Sequence, residues 1–238
     1  MGKYRYLLFD LDDTLLDFSK AEHLAFLEAS DEIGIHEAEK MYRDYHRINE
    51  GLWKKLEKGG ITIEDLKVER FRQTLIYHGF GDDSDRLANE YKETYENRLG
   101  EHGEPLAESE RILKTIHGRY GIYAITNGSK TVQGPRIERS GLAVYFTKVY
   151  ISHDIGFSKP DRRFFEYVLD DIGDHDKSRY LVIGDSLSSD CDGAILSGID
   201  ICRFNPKGLP PEGRKLTYDI TDLGELENIL IRDKGEKH

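Results

Sequence analysis

Four short clusters in this 238-residue chain hold side chains that could together manage a phosphate. They are Asp10-Leu11-Asp12-Asp13-Thr14, Thr126-Asn127-Gly128, Ser158-Lys159-Pro160, and Gly184-Asp185-Ser186 followed by Asp190. Brought close together, Asp10, Asp12 and Asp185 would raise one another's pKa, because like charges disfavour ionisation. A hard divalent cation relieves that repulsion, and magnesium suits a few carboxylates plus water and substrate phosphate. Lys159 adds a second positive charge, and Thr126 and Asn127 offer hydroxyl, amide and backbone donors for phosphate oxygens. Phosphoryl transfer needs mainly positioning and charge neutralisation, and this inventory supplies both. Within it, Asp10 suits the nucleophile. Asp12 suits the general acid and base, protonating a leaving alkoxide and then activating water. Zinc is disfavoured, since no His or Cys pair lies at ligand spacing nearby.

These clusters need elements to position them. Tyr4–Asp10, Gly121–Thr126 and Tyr180–Asp185 read as buried strands, each ending in one of the polar clusters. Weaker strands are expected over Lys148–Ser152, Ile199–Phe204 and Tyr218–Ile220. Helical segments are expected near 106–118, 129–140, 161–172, 188–197 and 222–231. Strands alternating with helices imply βαβ units and an α/β fold with a doubly wound, mostly parallel sheet. Ligands of such sheets bind beyond the carboxyl ends of the strands, so three motif-bearing strand ends point toward one crevice. Lys159 should sit just before a helix, with Pro160 in its first turn. Asp10 and Asp12 would face the same way on a continuing strand, although a turn at Leu11 would break that alternation.

Residues 19–100 interrupt the rhythm with amphipathic helical runs and turn signals at Gly59-Gly60 and Gly79-Phe80-Gly81. Ser19 and Glu22 fit a capping box at the start of the first helix. The chain is expected to divide into a Rossmann-like core, residues 1–17 and 101–238, and a small helical domain inserted after the first strand, residues 18–100. Gly134-Pro135 falls inside the helix expected after the second strand. Either that helix begins near Pro135, leaving 128–133 as loop, or it is kinked. The C-terminal 232–238, RDKGEKH, reads as a frayed tail.

Composition narrows the setting. A net charge of −11 argues against nucleic-acid polymers, whose binding relies on a basic surface, but not against one small anion. No stretch approaches the roughly 18 apolar residues of a membrane span, so no membrane partner is expected. With Asp10 essential, there is no room for a removable signal peptide. Two cysteines, Cys191 and Cys202, are too few for a disulfide framework, which suggests a reduced cytoplasmic home. The expected assembly is a monomer or small homo-oligomer.

Taken together, DLDDT at 10–14, TNG at 126–128, SKP at 158–160 and GDSLSSD at 184–190 resemble the haloacid dehalogenase-like hydrolases. The motifs occur in order across essentially the whole chain; one alone would be weak, and four in register are specific. The resemblance implies Asp10 as nucleophile and Asp12 as acid/base with its backbone carbonyl on Mg²⁺. It further implies Thr126 and Lys159 at the phosphate, Asp185 on the metal, and Asp190 reaching the metal directly or through water. The helical insertion resembles the family's small helical cap, and the short gap from Gly128 to Ser158 leaves no space for the alternative cap position. Dehalogenation is disfavoured by Asp12, because a halide leaves without needing a proton. Asp13 stands where many relatives carry Gly.

A finer resemblance, to bacterial pyrimidine 5′-nucleotidases of the house-cleaning type, lies in INEGLWKKLEKGGITIEDL at 48–66 and QGPRIERSGL at 133–142. It implies a pyrimidine nucleoside monophosphate as substrate, with Trp53 and Asn49 contacting it. Trp53 offers a flat apolar face for a base; taken alone, a single Trp on an amphipathic helix belongs more often to a core. Alternatives with the same chemistry are a sugar-phosphate or small phosphorylated-acid phosphatase, or a phosphomutase. A silent binding domain would be marked by loss of Asp10, Asp12, Lys159 or Asp185, and none is lost.

Overall fold

The computed structural model describes residues 3–231; the expectation for the RDKGEKH tail lies outside them. The strands are β1 (Tyr6–Phe9), β2 (Gly121–Thr126), β3 (Lys148–Ile151), β4 (Tyr180–Gly184), β5 (Asp200–Phe204) and β6 (Tyr218–Ile220). They form one sheet in the order β3-β2-β1-β4-β5-β6, and every pairing is parallel. β1 is central, with Phe9 level with Ala124 of β2 and Ile183 of β4. The chain reverses its direction of winding there, which puts the carboxyl end of β1 at the topological switch point.

Both faces of the sheet are buried, which is why β1, β2 and β4 read as unbroken apolar runs. Alternate residues go to opposite sides. Leu7, Phe9, Ile122, Ala124, Leu181 and Ile183 join one core, while Leu8, Tyr123, Ile125 and Val182 join the other with Phe164, Phe165 and Val168. Both cysteines are fully buried and free. Burial pushes the Cys191 thiol up to about 12, helped by the nearby Asp190 carboxylate, and burial raises Cys202 further. At pH 8 the native protein should therefore show no thiol to a disulfide reagent such as dithiobis(nitrobenzoate), and two after denaturation. A thiol that reacts rapidly in the folded protein would contradict this.

By internal contacts the chain divides into two compact units. One holds residues 1–17, 104–130 and 137–238, and the other holds 18–103 and 131–136. The second unit is built on α1 (Phe18–Glu32), α2 (Ala38–Glu57), α3 (Ile63–Tyr77) and α4 (Ser84–Glu101). Its core is aromatic: Phe26, Tyr45, Phe71, Tyr91 and Tyr95 are all buried. The Phe71 and Tyr91 rings stack with centroids 4.5 Å apart, a geometry that adds to area burial. The Ser19–Glu22 capping box does not form as expected. α1 begins at Phe18, and the Glu22 carboxylate instead accepts hydrogen bonds from α2, from Tyr42, His46 and Asn49.

In the sheet unit, α5 (Ser109–Ile116) precedes β2, and α6 (Lys130–Ser140) follows it; residues 131–136 of α6 group with the helical unit. α6 runs through Pro135, so 130–133 is helix and not loop. An interior proline costs about 3 kcal/mol. Gly134, lacking Cβ, removes one of the clashes that a proline imposes on its predecessor. Arg136 anchors the turn: fully buried, it donates to the His102 carbonyl at 2.8 Å and to Gln133 Oε1 at 3.1 Å. The remaining helices are α7 (Ser152–Ile155), α8 (Arg162–Ile172), α9 (Asp192–Ser197) and α10 (Leu226–Leu230). A π-helical turn at Leu187–Cys191 leads into α9, and a 3₁₀ turn at Leu223–Glu225 leads into α10. Pro160 is not in the first turn of α8. It precedes the N-cap Asp161, whose carboxylate accepts from the Arg163 N–H. No helix among the described residues is long and apolar enough to cross a membrane.

Candidate active site

β1 stops at Phe9, and the chain turns tightly beyond it. The Leu11 carbonyl accepts from the N–H groups of Leu15 and Leu16 at 2.9 and 2.8 Å, and Asp13 sits at a φ of 57°. Asp10 is fixed just before that turn by its own N–H, which donates to the Ile183 carbonyl of β4 at 2.8 Å. The turn breaks strand alternation, so the placing of Asp12 owes nothing to a continuing strand. Asp12 lies close enough for its charge to act on Asp10.

Lys159 is the hub. It is 1% exposed, and its ammonium donates to Asp10 Oδ1 at 2.6 Å, to Asp190 Oδ1 at 2.6 Å and to the Ile125 carbonyl of β2 at 3.1 Å. Burial alone would discharge the ammonium; attraction to Asp10 and Asp190 overcomes this and holds its pKa above that of ordinary lysine. Asp10 is driven well above the carboxylate range, first by burial, against the pull of Lys159, and then by the charges of Asp190, Asp185 and Asp12. Asp185 is raised to about 7 by burial, with Asp190 and Asp13 adding repulsion. One ammonium thus faces several carboxylates, and the cluster is short of positive charge.

Carboxylate oxygens of Asp10, Asp185 and Asp190 all lie within 4.8 Å of one another, forming a group able to hold a cation among the described residues. Opposite ligands of magnesium, at about 2.1 Å each, are about 4.2 Å apart, so a small closure suffices. Oxygen-only donors, uncompensated charge and raised carboxyl pKa values fit a hard divalent ion.

Asn127 departs from the sequence expectation. Its side chain does not stand ready for phosphate but clamps the Lys159 backbone: Nδ2 donates to the Lys159 carbonyl at 2.8 Å, and Oδ1 accepts from the Lys159 N–H at 2.9 Å. Thr126 ends β2, is buried, and accepts from the Gly128 N–H at 3.0 Å.

Two contributors escaped the sequence reading. Thr14, fully buried, donates to Asp185 Oδ1 at 3.4 Å; it was visible as the last residue of its motif but carried no assigned role. Gly184 is the other. A Cβ there would collide with Asp190 Cγ and Oδ2, so glycine is what lets that carboxylate reach Lys159. Gly184→Ala should push Asp190 off its place and weaken magnesium binding about tenfold or more, the scale of lost metal support, measured by calorimetric titration. Unchanged affinity would remove this role from Gly184.

Of the two inserted-domain candidates, Asn49 is buried and bound to Glu22. Trp53 is partly buried and stands outside the aromatic core of the helical unit.

Residues 4–198 match the sequence profile of the haloacid dehalogenase-like hydrolases. The chain belongs to that family. The pyrimidine 5′-nucleotidase PynA of Streptococcus pneumoniae is 35% identical, with 98% of each chain covered. The pyrimidine 5′-nucleotidase YjjG of Escherichia coli is 33% identical over 97% of this chain and 99% of its own. Among solved structures, the HAD-hydrolase YfnB of Bacillus subtilis bound to magnesium superposes with a TM-score of 0.88 at 34% identity, covering 96% of this chain and 99% of that one. For this hydrolase the family match and the four motif clusters coincide: all lie within residues 4–198.

Proposed function

We propose that this hydrolase is a magnesium-dependent phosphomonoesterase acting on pyrimidine nucleoside 5′-monophosphates through a phosphorylated Asp10. The observation that carries the chemistry is the buried Asp10–Lys159–Asp190 ion cluster with Asp185 beside it. The substrate class rests on similarity to two pyrimidine 5′-nucleotidases over nearly the whole chain.

In this reading an Asp10 carboxylate oxygen attacks phosphorus, and the bond from phosphorus to the nucleoside 5′-oxygen breaks. Asp12 gives its proton to that oxygen. Water then loses a proton to Asp12 and attacks the aspartyl-phosphate, releasing inorganic phosphate and restoring Asp10. Lys159 neutralises charge on Asp10 and the phosphoryl oxygens, while Asn127 holds the Lys159 backbone at the correct height. Thr126 and the Gly128 backbone bind the phosphate. Magnesium would be held by Asp10, Asp185, Asp190 and the Asp12 carbonyl, and would supply further neutralisation of phosphate charge. Trp53 would offer its face to the base. A reducing, cytoplasmic setting suits the two free thiols.

A panel of phosphomonoesters assayed with and without magnesium tests the proposal. Pyrimidine nucleoside monophosphates should be turned over fastest, and only with the metal. A preference for hexose phosphates or phosphorylated small acids would defeat the substrate assignment, and metal-independent turnover would defeat the chemistry.

A further inference from the structure

Within the sheet unit, the first turn of α9 stands between two members of the ion cluster. Asp190 lies just before it, in the π-helical turn Leu187–Cys191. On its other side, a Cβ at Gly193 would stand 3.1 Å from Pro160 Cα, so the turn lies directly against the residue after Lys159. α9 has only six residues, Asp192–Ser197. A helix so short is not held by its own hydrogen bonds, and an isolated π-helical turn is rare. The segment 205–217, between β5 and β6, supplies a hold. Arg214 grips Asp192 with both prongs of its guanidinium, Nε donating to Oδ1 at 2.7 Å and Nη2 to Oδ2 at 2.9 Å. Its Nη1 donates to Glu212 at 3.3 Å. The segment is itself fastened at its base. Arg203, buried and level with Gly184 of β4, donates from Nη1 to the Leu209 carbonyl at 2.9 Å. Asn205, also buried, donates to that carbonyl and accepts from the Leu209 N–H, each at 2.9 Å. The Arg214 and Asp192 side chains are 21% and 34% exposed. An ion pair this open to water contributes little to stability. Its two parallel bonds, however, fix direction as well as distance.

We infer that Arg214 is a positioning residue for the Asp190 carboxylate, acting through Asp192. By fixing the start of α9, the pair holds the π-helical turn in the setting where Asp190 meets Lys159 and can share a divalent cation with Asp10 and Asp185. The inference rests on the magnesium reading above and deepens it; it does not depend on which phosphomonoester is the substrate. Groups that orient metal-holding side chains govern affinity although they never touch the ion.

Two measurements test it. The first is hydrogen exchange of the metal-free protein, read by mass spectrometry on a peptide covering 186–191 and on one covering β1. In Arg214→Gln the first peptide should exchange about tenfold faster or more, and the second should be unchanged. A rise shared by both peptides would mean general loosening and would overturn the inference, as would no rise at 186–191. The second is calorimetric titration with magnesium of the unmodified protein, Arg214→Gln, Asp192→Asn and the double variant. Each single change should weaken binding about tenfold. Because both changes break the same link, the double variant should stay within about twofold of either single one. Affinity unchanged in either single variant, or losses that multiply to about a hundredfold in the double, would overturn the inference. Should Arg214→Gln not fold, Arg214→Lys takes its place: it keeps the charge, cannot make both parallel bonds, and should still weaken magnesium binding. If the unmodified protein binds no magnesium, the metal chemistry proposed above fails, and the exchange comparison still decides whether Arg214 holds the turn.

Discussion

Asp10→Asn should lower phosphate release by about 10⁴-fold or more, the scale on which loss of a covalent nucleophile is felt. The substitution keeps the size of the side chain and leaves Lys159 its second partner, Asp190, at 2.6 Å, so the fold should survive. It removes the oxygen that would form the bond to phosphorus. In the native site that carboxylate is buried, and burial with the neighbouring acidic charges raises its pKa against the pull of Lys159. Asp10 is also one of the three residues whose carboxylates are grouped closely enough to hold a cation, so a fall in rate could arise from weakened metal binding alone. Two measurements separate the causes. Magnesium titration of the variant reports the metal, and assays at saturating magnesium then report the nucleophile. Rapid quenching of the unmodified enzyme followed by mass spectrometry should find one phosphoryl group on the peptide containing Asp10, and none on that peptide from the variant. Turnover within tenfold of the unmodified enzyme at saturating magnesium would exclude Asp10 as nucleophile.

How much of this could be read in the sequence depended on how local each signal was. β1, β2 and β4 were legible because burial on both faces leaves an unbroken apolar run, and the polar residue ending each run marks the carboxyl edge of the sheet. The motif residues were legible for the same reason, since Asp10, Thr126 and Asp185 each follow directly from where a strand stops. Longer-range partners were not legible. Ser19 and Glu22 have the spacing of a capping box, but the Glu22 carboxylate is taken by α2, 20 to 27 residues away, and three hydrogen bonds outweigh one local cap. Asn127 looked like a phosphate donor; 32 residues on, the Lys159 backbone offers an N–H and a carbonyl spaced for a primary amide, and claims it. Pro135 carried a genuine local signal against helix, which tertiary anchoring of Arg136 overrode. Gly184 gave no signal at all, because the need for a missing Cβ exists only once Asp190 has folded back against β4.

Lys159→Met is the second large effect, and it should appear in stability as well as rate. The ammonium is paired to two carboxylates in a position almost closed to solvent, and methionine matches its length without its charge. Removing one partner of a buried ion pair leaves the others uncompensated and typically costs about 3–5 kcal/mol. The metal-free variant should therefore lose stability on that scale in urea denaturation. The pH of the comparison must be fixed, because burial and mutual repulsion raise Asp10 well above the carboxylate range and Asp185 to about 7, so protonation relieves part of the loss as pH falls. Because the folded protein holds the ammonium above the ordinary lysine value, its own charge is complete at every pH below about 10 and is lost only as pH rises past that point. Magnesium supplies the kind of charge that the variant lacks, so saturating metal should raise the melting temperature of Lys159→Met by more than that of the unmodified protein. Rate should not be rescued to the same degree. The metal can quiet the carboxylates, but it cannot replace an ammonium held on Asp10 as that oxygen bonds to phosphorus, and loss of one such preorganised donor is worth about 10²–10³ in kcat. A metal-free variant as stable as the parent would mean that Asp10 and Asp190 are already neutral in the folded protein. The ion cluster on which the proposed chemistry depends would then have to be abandoned.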